Sequence, residues 1–165
     1  MRKIWLAGGC FWGAEAYFQQ LKGVVDTTVG YGQGDKADPS YEQVCSGRTG
    51  HAEIVEIEYD ETVLSLPNLL EHYFRIIDPT TLDRQGPDRG TQYRTGIYYK
   101  DEAERKQIVD FVCGMQTKYS EPIVVEIEPM ANFYPAESYH QDYLQKNPGG
   151  YCHIDLGLAR REERK

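Results

Sequence analysis

No stretch of the chain approaches the ~20 consecutive apolar residues that a membrane-spanning helix needs. Positive charge is in deficit: 18 Lys and Arg stand against 26 Asp and Glu, a net charge of -8. Nucleic acid and anionic membrane surfaces are bound through basic patches that displace counterions, so neither is an expected partner. Internal repeats, low-complexity tracts and linker-like shifts of composition are absent, and 165 residues suffice for one compact domain, expected to span 1–165. Cysteines number only four, Cys10, Cys45, Cys113 and Cys152, with no Cys-x-x-Cys and no paired-His motif, which argues against zinc. Their spacings are wide and secretory features are lacking. Free thiols in a reducing compartment, the cytoplasm, are therefore expected rather than two disulfides. Met1 to Cys10 imitates a lipoprotein signal, but its apolar stretch is too short, and it reads as a buried first strand.

What the chain has in abundance is Tyr and Gly, 13 and 16 residues. Tyrosine at that density suggests a polar-aromatic pocket or a wet sheet face. Ile4 to Ala7 is an apolar run ending in Gly8-Gly9, as a buried strand would. Ala14, Tyr17, Phe18 and Leu21 recur at helical spacing, and Gly23 stops that helix. Val24–Val29 reads as a second strand, Gly30–Asp38 as a Gly-rich loop, and the alternation over Glu53–Tyr59 as a third strand. Pro67 opens a helix with Leu69, Leu70, Tyr73, Phe74 and Ile77 on its apolar face. A long loop follows over Asp78–Gln92, of a length that often carries function. The pattern continues with a strand over Tyr93–Tyr99, a helix marked by Ile108, Phe111, Val112, Met115 and Tyr119, a strand over Ile123–Ile127, a helix over Glu137–Lys146 and a loose tail from Asn147. The order predicts an α+β fold. Its core is a ferredoxin-like split β-α-β sandwich, with appended helices, a fifth strand and a long C-terminal coil.

Cys10 stands where a strand ends and a helix begins. The positive end of the helix dipole and the unpaired N–H groups of the first turn favour a thiolate there. The alternative is a small buried hydrophobe. Phe11 and Trp12 follow directly; helical spacing sends one of them to the core, and either could wall a cleft beside the thiol. On its strand Glu53 shares a face with Val55, Ile57 and Tyr59, so it projects from the apolar side. Desolvation raises such a carboxyl, and a carboxylic acid kept protonated can act as a general acid. The alternative is a strand-end carboxylate bending out to solvent. Tyr41 and Tyr93, the latter expected to open a strand, are candidate hydrogen-bond donors. The Gly30–Gly34 run is not followed by a helix, which argues against a phosphate loop.

Several runs together resemble the A-type peptide-methionine sulfoxide reductases. They are Gly9-Cys10-Phe11-Trp12-Gly13-Ala14-Glu15, Gly30-Tyr31, Tyr41-Glu42-Gln43-Val44-Cys45-Ser46-Gly47, Thr49-Gly50-His51-Ala52-Glu53, Asp88-Arg89-Gly90-Thr91-Gln92-Tyr93-Arg94 and Tyr139-His140-Gln141. They run from Gly8 to about His153 in the family's order, and the combination is far more specific than any piece. The resemblance implies that Cys10 attacks the sulfoxide sulfur, Glu53 protonates its oxygen, and Tyr41 and Tyr93 hold that oxygen. It implies further that Asp88 helps organise the site and that Phe11 and Trp12 receive the S-methyl group. The product would be methionine plus a Cys10 sulfenic acid, which condenses with a second thiol. Thioredoxin would reduce the disulfide, no cofactor or metal is implied, and the S epimer is the substrate. Cys152 matches the resolving cysteine of many relatives. Cys45 need not be redox-active and is expected to be buried, and Cys113 to be structural, with Cys152 favoured over both as the resolving thiol. His51 and His140 are expected either to support the site from behind or to be structural, and His153 is only a weak hint of a metal. A monomer is expected. Read without the resemblance, a Cys-His hydrolase or acyltransferase and a non-catalytic binding domain stay open.

Overall fold

A computed structural model describes residues 1–165. In chain order the elements are β1 (Arg2–Ala7), α1 (Phe11–Gln19), β2 (Val24–Gly32), α2 (Tyr41–Cys45), β3 (Ala52–Tyr59), α3 (Leu66–Ile76), β4 (Arg84–Gln85), β5 (Asp88–Arg89), β6 (Gly96–Tyr99), α4 (Glu102–Gln116), β7 (Glu126–Pro129), β8 (Tyr134–Pro135) and α5 (Tyr143–Lys146). The main sheet runs β7-β6-β1-β3-β2-β8. Its inner four strands are all antiparallel, with β3 lying between β1 and β2. That insertion is what splits a β-α-β unit. β7 joins parallel to β6, and β8 antiparallel to β2. The fold is α+β with this mixed sheet at its centre.

Alternation along the strands makes two apolar layers. Ile4 and Leu6 of β1, Val55, Ile57 and Tyr59 of β3, and Val29 and Tyr31 of β2 pack with Phe18, Leu70 and Ile108 from the helices into the main core. Trp5, Ala7, Ala52, Ile54 and Tyr98 form a smaller layer, covered by Met130 and Phe133. Ser65 caps α3 by accepting from the Asn68 N–H, with a proline in the first turn, and Asp101 caps α4 by accepting from Ala103.

Several expected boundaries are corrected. β2 continues through Gly32, because Gly30 to Gly32 pair with Ile54, Glu53 and Ala52, so the Gly-rich loop starts later. The strand expected at Tyr93–Tyr99 begins only at Gly96; Tyr93 closes a 3-10 turn over Thr91–Tyr93. The strand expected at Ile123–Ile127 is displaced to Glu126–Pro129. The helix expected over Glu137–Lys146 is broken into a 3-10 turn at Ser138–His140 and the short α5. The break falls at Asp142, whose backbone is left-handed (φ 55) and whose N–H is taken by the Glu15 carboxyl at 2.8 Å. The tail is not loose. Ile154 and Ala159 are buried, Leu21 bridges Arg164, and Arg75 grips Glu163 with two bonds of 2.8 and 3.1 Å. No helix is long and apolar enough to cross a membrane.

Candidate active site

β1 ends at Ala7, and Gly8 and Gly9 turn the chain into α1. Gly9 takes a left-handed φ of +78, which a glycine adopts without strain. Cys10 is the N-cap of α1. Because β3 runs antiparallel with Ala7 opposite Ile54, Glu53 stands just beyond the end of β1, against the start of α1. The Phe11 N–H donates to Glu53 Oε1 at 3.1 Å, while Oε2 is buried without a partner. Glu53 is 1% exposed. Burial pushes its carboxyl up to about 8, the Phe11 N–H opposes that, and the Asp88 charge adds to it. Neutral Glu53 is the dominant form at neutral pH.

Cys10 is 5% exposed, and here the expectation of a resting thiolate fails. Burial pushes the thiol far above its ordinary value, the Glu53 and Asp88 carboxyls add to that when ionised, and the Trp12 N–H opposes it. The dipole of a nine-residue helix is present, but desolvation of a sulfur anion outweighs it.

Tyr41 opens α2, a short helix held by a capping box between Ser40 and Gln43 and by Glu137, whose Oε2 accepts from the Tyr41 N–H at 3.1 Å. The Tyr41 phenol is pushed up by burial, then by Glu53 and Cys45. The Tyr93 phenol is pushed up by burial, then by Glu53, Cys45, Cys10 and Asp88. Both hydroxyls thus stay protonated as donors, and both lie in the field of Glu53. Asp88, on β5, accepts from the Tyr151 hydroxyl at 2.9 Å. Cys152 is half-buried, its thiol donating to the Ile154 carbonyl at 3.2 Å. A Cβ built on Gly13 would lie 3.0 Å from that sulfur, so the second thiol rests on the first turns of α1.

Phe11 goes to the core, its ring 5.7 Å from Tyr31 and 5.4 Å from His140. Trp12 keeps a partly exposed face, stacks on Tyr143 at 3.8 Å and donates from Nε1 to His140 Nδ1 at 2.9 Å. Cys45, expected to be buried, is half-buried under Tyr41, and Cys113 is exposed on α4. His51 is held by the Gly34 N–H and the Lys36 carbonyl. His140 accepts from Trp12 at Nδ1, and no histidine hydrogen-bonds the Cys10 thiol, the pairing a Cys-His hydrolase is built on. Sequence reasoning missed Glu137, Tyr143 and Tyr151. Glu137 lies two residues before a quoted motif and Tyr151 next to Cys152, but only the fold shows what they touch.

A buried thiol, a neutral carboxyl with one free oxygen, two phenolic donors and a nearby second thiol define a site for two-electron sulfur chemistry. The chain matches the family described as peptide methionine sulfoxide reductase over residues 2–165. It is 58% identical over 156 residues to the peptide methionine sulfoxide reductase MsrA of Clostridium botulinum strain Okra, covering 94% of this chain and 99% of that one. The reduced form of Mxr1 from Saccharomyces cerevisiae superposes with a TM-score of 0.89 at 42% identity, covering 94% of this chain and 91% of that one. Mxr1 in complex with Trx2 superposes at 0.62 with 29% identity, covering 86% and 84%. The chain belongs to the peptide methionine sulfoxide reductase family.

Proposed function

We propose that residues 1–165 act as one domain that reduces the S epimer of methionine sulfoxide, free or in proteins, to methionine. A sulfoxide oxygen leaves poorly until it is protonated, and the thiolate is the soft nucleophile for sulfur, so Cys10 sheds its proton as it attacks. Cys10 attacks the sulfoxide sulfur as Glu53 passes a proton to the oxygen through Oε2. Tyr41 and Tyr93 hold that oxygen by donation. Glu53 recovers the proton leaving Cys10, so it ends the step neutral. The attack joins the two sulfurs; as that intermediate collapses, the substrate S–O bond and the new S–S bond both break, methionine leaves with the electron pair, and the hydroxyl ends bonded to the Cys10 sulfur as a sulfenic acid. Trp12 offers an apolar face to the S-methyl group, Phe11 backs the site against Tyr41 and His140, and Asp88 organises the rim. Cys152 then closes a disulfide on Cys10 with loss of water. Thioredoxin returns both to thiols, a reading supported by the relative seen with Trx2. Chemistry that needs its thiols restored fits the cytoplasm.

The observation that carries this reading is Glu53: a buried carboxyl protonated up to about 8, one oxygen fixed by the first turn of α1 and the other free. Incubation with both epimers of a methionine sulfoxide and dithiothreitol should consume the S epimer alone. Equal loss of both epimers, or activity in Cys10→Ser, would falsify it. Cys152→Ser should complete one turnover and fail to cycle with thioredoxin.

A further inference from the structure

His153 was left without a role by the motifs and by the mechanism above. Its side chain is 4% exposed and neither ring nitrogen makes a well-formed hydrogen bond, while the Gly8 backbone and Asp88 stand close enough to favour its protonated form against the burial that lowers it. The ring lies on the turn that carries Cys10: a Cβ built on Gly9 would stand 2.6 Å from His153 Nε2 and 2.9 Å from Gln85 Cβ. So Gly9 is needed twice, for its backbone conformation and for the histidine above it. On the ring's other side Nδ1 stands 3.8 Å from Asp88 Oδ2, the oxygen that also accepts from the Tyr151 hydroxyl at 2.9 Å. The Tyr151 and His153 rings lie 6.4 Å apart and within 22° of parallel. These two side chains flank one carboxylate, while the thiol between them seats on Gly13 of α1.

We propose that His153 is a positioning residue for the second half of the cycle: with Tyr151 it closes on Asp88 and the Gly8–Gly9 turn, and so holds the Cys152 thiol where Cys10 can reach it. The inference rests on Cys152 being the resolving thiol. In the step it serves, the Cys152 sulfur attacks the Cys10 sulfenic sulfur and an S–S bond forms. The S–O bond breaks, and the departing hydroxide takes the Cys152 proton and leaves as water. The Cys152 sulfur is oxidised and the Cys10 sulfur is reduced. A buried polar ring without a well-formed hydrogen bond is costly where it stands, which makes packing alone a poor reason for a histidine here.

The test separates the two half-reactions. Full-length protein is mixed with one equivalent of the S-sulfoxide, quenched with an alkylating agent at intervals, and read by mass spectrometry for methionine release and for the Cys10–Cys152 bridge. His153→Phe keeps the volume and loses the nitrogen that stands 3.8 Å from Asp88 Oδ2; it should release methionine at the wild-type rate but close the bridge about tenfold more slowly, the size of effect expected from one hydrogen bond to Asp88 made only as Cys152 moves onto Cys10. His153→Asn restores an N–H near the Nδ1 position and should recover closure to within about threefold of wild type. Tyr151→Phe, which leaves the buried ring untouched, should also slow closure and not release. Wild-type closure in His153→Phe, or no recovery in His153→Asn, overturns the clamp alone. A wild-type bridge from Cys10 to Cys45 or Cys113 overturns both the clamp and the reading of Cys152.

Discussion

The two oxygens of Glu53 divide the work. Oε1 accepts from the Phe11 N–H and fixes the group, and Oε2 is left for the substrate. The protonated form is the working one, so the rate of methionine release should fall as pH rises through about 8. Glu53→Gln should lower that rate by about 10²–10⁴-fold and remove the alkaline limb, read by single-turnover kinetics across pH. Stability should follow the same group. The folded carboxyl titrates near 8 and the unfolded one near 4.5, so between those values the native state binds more protons. Stability therefore falls as pH rises through the window, and Glu53→Gln should flatten that slope in denaturant titrations. Strand parity was enough to place Glu53 on the apolar face, since alternation is a local property of the backbone. The charge of Cys10 was not legible. Its helix-start position shows in the Gly-Gly-Cys run, but its electrostatic neighbours, Glu53 of β3, Asp88 of β5 and Cys152 of the tail, come from remote segments that no local pattern reports.

At the scale of the element, α1 is the site's platform. Its first turns carry Cys10, bond Glu53 and seat Cys152 on Gly13. Gly13→Ala gains helix propensity, about 1 kcal/mol, but its methyl would stand 3.0 Å from the Cys152 sulfur. Net stability should change by less than about 1 kcal/mol, while Cys152, displaced from its seat, should be alkylated faster than in the wild type; unchanged alkylation would count against the seat. The long elements were readable because Leu69, Leu70, Tyr73 and Phe74, or Val55, Ile57 and Tyr59, repeat at helical or strand period. The short ones were not. α2 is five residues held by a capping box and by distant Glu137, and Tyr93 sits on a 3-10 turn set by the preceding hairpin. Such pieces take their shape from what they touch, and a periodicity argument has nothing to count in them.

For the whole molecule, the last third of the chain is tied down twice. In front, Glu15 accepts from the Asp142 N–H and from the Thr27 hydroxyl, and Gln19 donates to the Asp142 carboxylate at 2.6 Å. Behind, Glu163 is gripped by Arg75, and hydrogen bonding to that guanidinium holds its carboxyl down at about 2. A group depressed in the folded state stabilises above its unfolded value and loses that contribution as pH falls. Glu163→Gln should therefore cost roughly 1–2 kcal/mol at pH 7, with the difference from wild type vanishing toward pH 2, as thermal melts across pH would show. A coil was expected here because the segment lacks period; its anchors are single side chains on α1 and α3, invisible to any reading of the tail itself.

Cys152 lies on the segment between these two fastenings, so it travels on a short closed leash and not on a free end. A thiol confined in that way meets its target at a local concentration of about millimolar or higher, whatever the protein's dilution. A Cys10 freshly oxidised by substrate should therefore be captured from within before small thiols of the surrounding medium can compete for it.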